Sequence, residues 1–181
     1  EDAPYFDEKI VQMPDSYQPN DSKRLFPPEF PRKNYNLPEG KFVFCSLNQS
    51  YKITAGMMDV WARILNRVDD SVLWLLAFMP NTRETVEQNL RREAAGRGVD
   101  PDRLIICSAA DMDKHYARYH HADLFLDTLP VNAHTTASDA LWAGLPVLTC
   151  CGHQFDGRVA ASLLETLGLG ELVTHTLGEY E

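Results

Sequence analysis

The sequence predicts an α/β protein built on a doubly wound parallel sheet. Three observations carry this expectation. From about Lys41 onward, short apolar runs of strand length alternate with longer amphipathic stretches of helical length. The connections between them are short, and parallel neighbours need a helix in each right-handed crossover. Prolines, which break both kinds of element, crowd into the start: seven of the 11 fall in the first 40 residues.

Residues 1–40 therefore read as a proline-rich linker or arm, and 41–181 as the folded body. A run such as Phe26-Pro27-Pro28-Glu29-Phe30-Pro31 suits neither a helix interior nor a central strand. The arm's aromatics (Tyr5, Phe6, Tyr17, Phe26, Phe30 and Tyr35) are free to dock against the body. Phe42 to Cys45 is the first strand, and Thr54 to Val68 is a helix with Met57, Trp61, Ile64, Leu65 and Val68 on one face. Val72 to Phe78 is the second strand. Thr82 to Ala95 is a polar helix with a Glu87/Arg91 pair one turn apart, closed by Gly96 and Gly98. Leu104 to Cys107, Asp123 to Asp127, Pro146 to Thr149 and Leu172-Val173 supply the later strands. Between them lie helices at Asp111 to His121, Thr136 to Ala143 (stopped by Gly144) and Arg158 to Leu167. The chain starts at Glu1 without a methionine and stops at Glu181 inside what reads as another helix. The expectation is an excerpt from a longer protein, truncated at its C-terminus.

Composition narrows the function. With 181 residues, 44% hydrophobic and 24% charged, the chain has the make-up of an ordinary globular domain. No stretch of about 18 apolar residues is present, so no helical membrane span is expected. Four scattered cysteines (Cys45, Cys107, Cys150 and Cys151) fit neither a disulfide framework nor paired zinc knuckles, and point to a reducing, cytoplasmic setting. A net charge of −9 argues against a nucleic-acid partner, whose backbone is held by clustered Lys and Arg. It leaves open a small anion held by a few local donors.

In doubly wound sheets ligands bind beyond the carboxyl ends of the strands, where the strand order reverses. For the common order 3-2-1-4-5-6, the loops after the first and fourth strands face each other there. The first is Ser46-Leu47-Asn48-Gln49-Ser50-Tyr51-Lys52, which has neither a GxGxxG nor a GxxxxGK[ST] pattern. Gln49 and Lys52 can instead offer an amide and an ammonium to phosphate oxygens, the plain alternative being a solvated loop. The second runs from Asp127 through His134-Thr135-Thr136 into a helix, whose free amides and dipole favour an anion. Thr136-x-x-Asp139 also fits a capping box, which needs no ligand. Asp139, one turn in, suits ribose hydroxyls or simple dipole compensation. After the third strand come small residues ending in Ala110, then His115 and Arg118, which can frame a flat base or form a solvated face. Cys150-Cys151-Gly152-His153 and His120-His121 pack potential metal ligands too tightly for zinc, so no metal site is assigned. Asp156-Gly157-Arg158 reads as a cap with a turn glycine.

Four stretches in order, Asn48-Gln49-Ser50-Tyr51-Lys52-Ile53, Ser71-Val72-Leu73-Trp74-Leu75-Leu76, His134-Thr135-Thr136-x-x-Asp139-x-Leu141-Trp142-Ala143-Gly144-x-Pro146 and Arg158-Val159-Ala160-Ala161-Ser162, strongly resemble the protein O-linked N-acetylglucosamine transferase family. Glu8-Lys9-Ile10 with Met13-Pro14 resembles the stretch that joins that family's two catalytic lobes. The resemblance implies a Rossmann-like C-terminal lobe of a GT-B glycosyltransferase that binds UDP-N-acetylglucosamine. The reaction it implies is inverting, metal-independent transfer of the sugar to Ser or Thr hydroxyls. Carried over by motif, Gln49, Lys52, Thr135 and Thr136 meet the diphosphate, with Lys52 stabilising the leaving group. His134 lies near the sugar-phosphate, Asp139 holds the ribose, and Ala110, His115 and Arg118 frame the uracil. No cofactor is implied, because the UDP-sugar is itself a substrate. Met112 stands where animal members carry a lysine beside the nucleoside, which implies one electrostatic contact fewer. The family's acid/base histidines, and the repeats and N-terminal lobe that choose acceptor proteins, would lie upstream, and this chain alone is expected to bind UDP without transferring sugar. Two other readings stand beside this one: a protein O-fucosyltransferase lobe using a GDP-sugar, and a non-catalytic nucleotide-binding module.

Overall fold

The computed structural model describes residues 4, 6–21, 23 and 30–181. Tyr5 and the segment from Phe26 to Glu29, both part of the arm's expected aromatic and proline pattern, lie outside them. The body is one six-stranded sheet: β1 (Phe42–Ser46), β2 (Ser71–Ala77), β3 (Leu104–Ser108), β4 (Leu124–Leu126), β5 (Val147–Cys150) and β6 (Val173–Thr174). Its order is β3-β2-β1-β4-β5-β6, and every pair is parallel. The order reverses between β1 and β4, which places the loops after those two strands side by side.

A strand's side chains alternate between faces, and here both faces are covered. Val43, Cys45, Val72 and Trp74 point into one core layer with Phe125 and Leu164; Phe44, Leu73 and Leu75 point into the other with Trp61 and Leu104. That is why β2 is buried at every residue. Helices α1 (Ala55–Arg67), α2 (Arg83–Ala95) and α6 (Leu177–Tyr180) cover the Phe44 face, and α4 (Thr135–Trp142) and α5 (Val159–Thr166) cover the other. α1 begins where the Thr54 hydroxyl accepts the Met57 amide at 3.2 Å, and buries Met57, Trp61, Ile64 and Leu65 of the expected face, while Val68 falls just beyond the helix and is exposed. α2 buries only Leu90 and Ala94, and is held along its exposed side by Glu87–Arg91 and Glu93–Arg97 pairs.

Three expectations are corrected locally. The single helix expected over Asp111 to His121 is α3 (Met112–Ala117) followed by a tighter 3-10 turn, Arg118–His121. With the tightening, Arg118 is turned inward, its guanidinium 3.3 and 3.4 Å from the Ser108 carbonyl and 5.9 Å from the Trp74 ring. α4 starts at Thr135 with His134 as its N-cap and no side-chain cap, so the capping box at Thr136 does not form. Asp156 does not cap α5, whose N-cap is Arg158. Gly157 is there for another reason: a Cβ on it would lie 2.7 Å from the Pro130 carbonyl oxygen, so only glycine lets the loops after β4 and β5 meet.

Packing also starts ahead of Lys41. Leu37 is in the core, and Tyr35, in the 3-10 turn Arg32–Tyr35, lies against Trp74 and His121 with ring centroids 5.4 and 5.2 Å away.

Candidate functional site

The loop after β1 leaves the sheet through buried Leu47 and Asn48 and tightens into a 3-10 turn at Ser50–Lys52 before Thr54 opens α1. This turn aims Lys52 across the switch point, where its ammonium donates to the Asn132 carbonyl at 2.6 Å. Burial draws the Lys52 pKa down, while Asp127 and Asp156 pull it back up. One ammonium hydrogen is thus committed to the protein and two are left for a ligand.

The loop after β4 is organised from below by Asp127, which is fully buried. One carboxylate oxygen accepts the amides of Thr128 and Ala133 at 2.7 and 2.6 Å; the other accepts the Thr149 hydroxyl at 2.7 Å. Asn48 joins this loop to the first: its amide nitrogen donates to the Thr128 hydroxyl at 3.2 Å and its amide oxygen accepts the Thr136 hydroxyl at 2.6 Å. The clamp brings the N-terminus of α4 to the loop that carries Lys52. With no side chain capping them, the first amides of α4 remain available to an anion.

A cleft of about 350 Å³ opens between the two loops, within the usual size for a small-ligand site. Gln49, Lys52, His115, His134, Thr135 and Thr136, six of the residues singled out in the sequence, line it together. His115 is half-buried, and burial, with a smaller push from Arg118, lowers its pKa to about 4. At neutral pH it therefore offers an uncharged ring, suited to stacking or a single hydrogen bond. Ala110, Arg118 and Asp139 are not among the lining residues. Ala110 is exposed beyond β3, Arg118 is spent on the Ser108 carbonyl, and Asp139 is buried on α4 near Tyr119. Among the described residues no three His, Cys, Asp or Glu side chains gather as a metal site requires.

Sequence reasoning passed over Asn48 and Asp127, which organise the cleft without a local pattern to mark them. Tyr17 docks on the body as the arm's aromatics were expected to, but no sequence signal marked His134 as its partner or the bond of Gln18 to Thr135, each 117 positions away.

A doubly wound sheet with a lysine and an uncapped helix N-terminus facing each other at the switch point is the arrangement by which α/β proteins hold phosphorylated ligands. The comparisons with known proteins define the group further. The chain belongs to Glycosyl transferase family 41, which it matches over residues 29–181. It is 40% identical over 186 aligned residues to the Arabidopsis thaliana protein named "Probable UDP-N-acetylglucosamine–peptide N-acetylglucosaminyltransferase SEC", covering 99% of this chain and 19% of that protein. It is 41% identical to the UDP-N-acetylglucosamine–peptide N-acetylglucosaminyltransferase of Caenorhabditis elegans, over 82% of this chain and 13% of that one. Among solved structures, a lysine-to-methionine mutant of the Thermobaculum terrenum O-GlcNAc transferase superposes with a TM-score of 0.82 at 34% identity, over 96% of this chain and 32% of that one. The chain thus spans about a third or less of each of these relatives.

Proposed function

We propose that this chain is the donor-binding lobe of a protein O-GlcNAc transferase, holding UDP-N-acetylglucosamine in the cleft between the loops after β1 and β4. The observation that carries the reading is the meeting of Lys52 and the uncapped N-terminus of α4 in one cleft of a family 41 chain. Gln49, Thr135 and Thr136 belong at the diphosphate with them, and His134 at the sugar-phosphate. Ala110, His115 and Arg118 frame the uracil, Arg118 by bracing the end of β3 through Ser108. Asp139 serves the ribose.

In the reaction a Ser or Thr hydroxyl oxygen bonds to the anomeric carbon from the face opposite the diphosphate. The bond to the diphosphate breaks, and UDP leaves with the electron pair. Lys52 and the α4 amides supply positive potential where that charge develops, the part a cation plays elsewhere, so the reading assigns neither a metal nor a cofactor. This lobe handles the donor; acceptor proteins and the acid/base step belong to other parts of such an enzyme. Four free cysteines suit a cytoplasmic setting, and among the described residues no helix is long and apolar enough to cross a membrane.

Calorimetry tests the assignment. Lys52→Ala removes a charge-assisted contact and is expected to weaken UDP about tenfold or more, and Asp139→Asn is expected to weaken it less. UDP should bind ahead of GDP. Unchanged UDP affinity in both variants overturns the site, and a preference for GDP moves the lobe to fucosyl transfer.

A further inference from the structure

The segment from Asp15 to Asn20 runs from the C-terminal end of α5 to the first turns of α4, although it is more than a hundred residues away in sequence. The Asp15 carbonyl accepts the Thr166 hydroxyl at 3.0 Å, and Asn20 accepts the Ser138 hydroxyl at 2.9 Å. Between these anchors Gln18 donates to the Thr135 hydroxyl at 3.0 Å, and the Tyr17 hydroxyl sits 2.8 Å from His134 Nδ1. The Tyr17 ring meets Phe155 and His134 edge to face, at centroid distances of 5.0 and 5.9 Å.

His134 is held from both sides. Its Nε2 lies 3.2 Å from the Asp156 carbonyl, which can only accept, so in the neutral ring Nε2 carries the hydrogen and Nδ1 accepts the Tyr17 hydroxyl. Both ring nitrogens are therefore engaged away from the helix that His134 begins. An N-cap side chain is placed to satisfy the first-turn amides itself, yet here none does so.

We propose that Tyr17 is a positioning residue of the donor site: with the Asp156 carbonyl it holds the His134 ring off the N-terminus of α4, keeping those amides open to the diphosphate. Gln18 orients the Thr135 hydroxyl in the same way. The arm is then part of the binding site, not only a tether. The inference rests on the donor-site reading and adds to it a residue that touches no ligand.

Tyr17→Phe in the full 181-residue chain tests it, since Tyr17 is 46% exposed and the ring packing survives the change. Two readouts are taken: the ring 15N resonances of His134 without ligand, and UDP affinity by calorimetry. In the variant the Nδ1 resonance is expected to move downfield, toward that of an unbonded ring nitrogen. The UDP Kd should rise about three- to tenfold, the worth of one neutral hydrogen bond, at an unchanged melting temperature. An unmoved Nδ1 resonance, or a moved resonance with unchanged UDP affinity, overturns the proposal. A wild-type chain that binds no UDP overturns the donor-site reading instead, and the ring resonance still decides whether Tyr17 holds His134.

Discussion

Lys52 is held by the Asn132 carbonyl before any ligand arrives, and Asn132 belongs to a loop that hangs from Asp127. The cation's position therefore depends on a buried carboxylate beneath it. Burial pushes the Asp127 pKa up to about 7, against the Thr149 hydroxyl, the amides of Ala133 and Thr128, and the Lys52 charge, all of which favour its ionised form. In the unfolded chain the same group titrates near 4. Below that pH both states hold the proton and no stability is lost. Between about 4 and about 7 the unfolded chain releases its proton first, so folding is progressively disfavoured, and above about 7 that cost is complete. Asp127→Asn removes this titration. In urea melts the stability of the variant relative to wild type should rise as pH increases over that window and then level off; a difference independent of pH overturns the assignment. Gln49, Lys52, His134, Thr135 and Thr136 were legible from sequence because each stands in a loop directly after a strand or at a helix start. Asn48 and Asp127 were not: Asn48 bonds Thr128 and Thr136 far along the chain, and Asp127 gathers Thr128, Ala133 and Thr149 through a loop shape that no local pattern marks.

Among the elements, α1 and α4 show what local sequence can and cannot decide. α1 has an apolar face at helical spacing and a threonine just before it, and it forms between those signals with Thr54 as its cap. Thr54→Ala is expected to cost about 1 kcal/mol of unfolding free energy, with Thr54→Ser restoring most of it, as a cap contact requires. Equal losses in both variants would point to packing instead. At α4 the local pattern suggested a capping box, but the Thr136 hydroxyl is drawn to Asn48, and the helix starts one residue earlier without a cap. The helix expected after β3 likewise divides where Arg118 turns toward Ser108 and Trp74. In both places a tertiary hydrogen bond outweighed a local preference that is worth about a kilocalorie per mole.

At the level of the whole molecule, Arg103 ties the sheet to the helix layer. Its guanidinium donates to the Ser71 and Leu65 carbonyls at 2.9 Å each and to that of Val68 at 2.7 Å, pinning the starts of β2 and β3 to the end of α1. Arg103→Ala removes these three charge-assisted bonds and should lower stability by about 2–3 kcal/mol in urea unfolding, while Arg103→Lys recovers only part, since an ammonium lacks the planar fork. Full recovery by lysine would mean that charge alone matters. The alternation of strands and helices, the parallel sheet and the family resemblance followed from sequence alone, because hydrophobic periodicity and short crossovers are local properties that leave few topologies open. The tertiary structure alone decided that the order reverses between β1 and β4, that Asn48 and Asp127 build the cleft there, and that Tyr17 reaches His134 from the arm. Those are contacts between distant segments, and they form only once the burial of both sheet faces has brought the segments together.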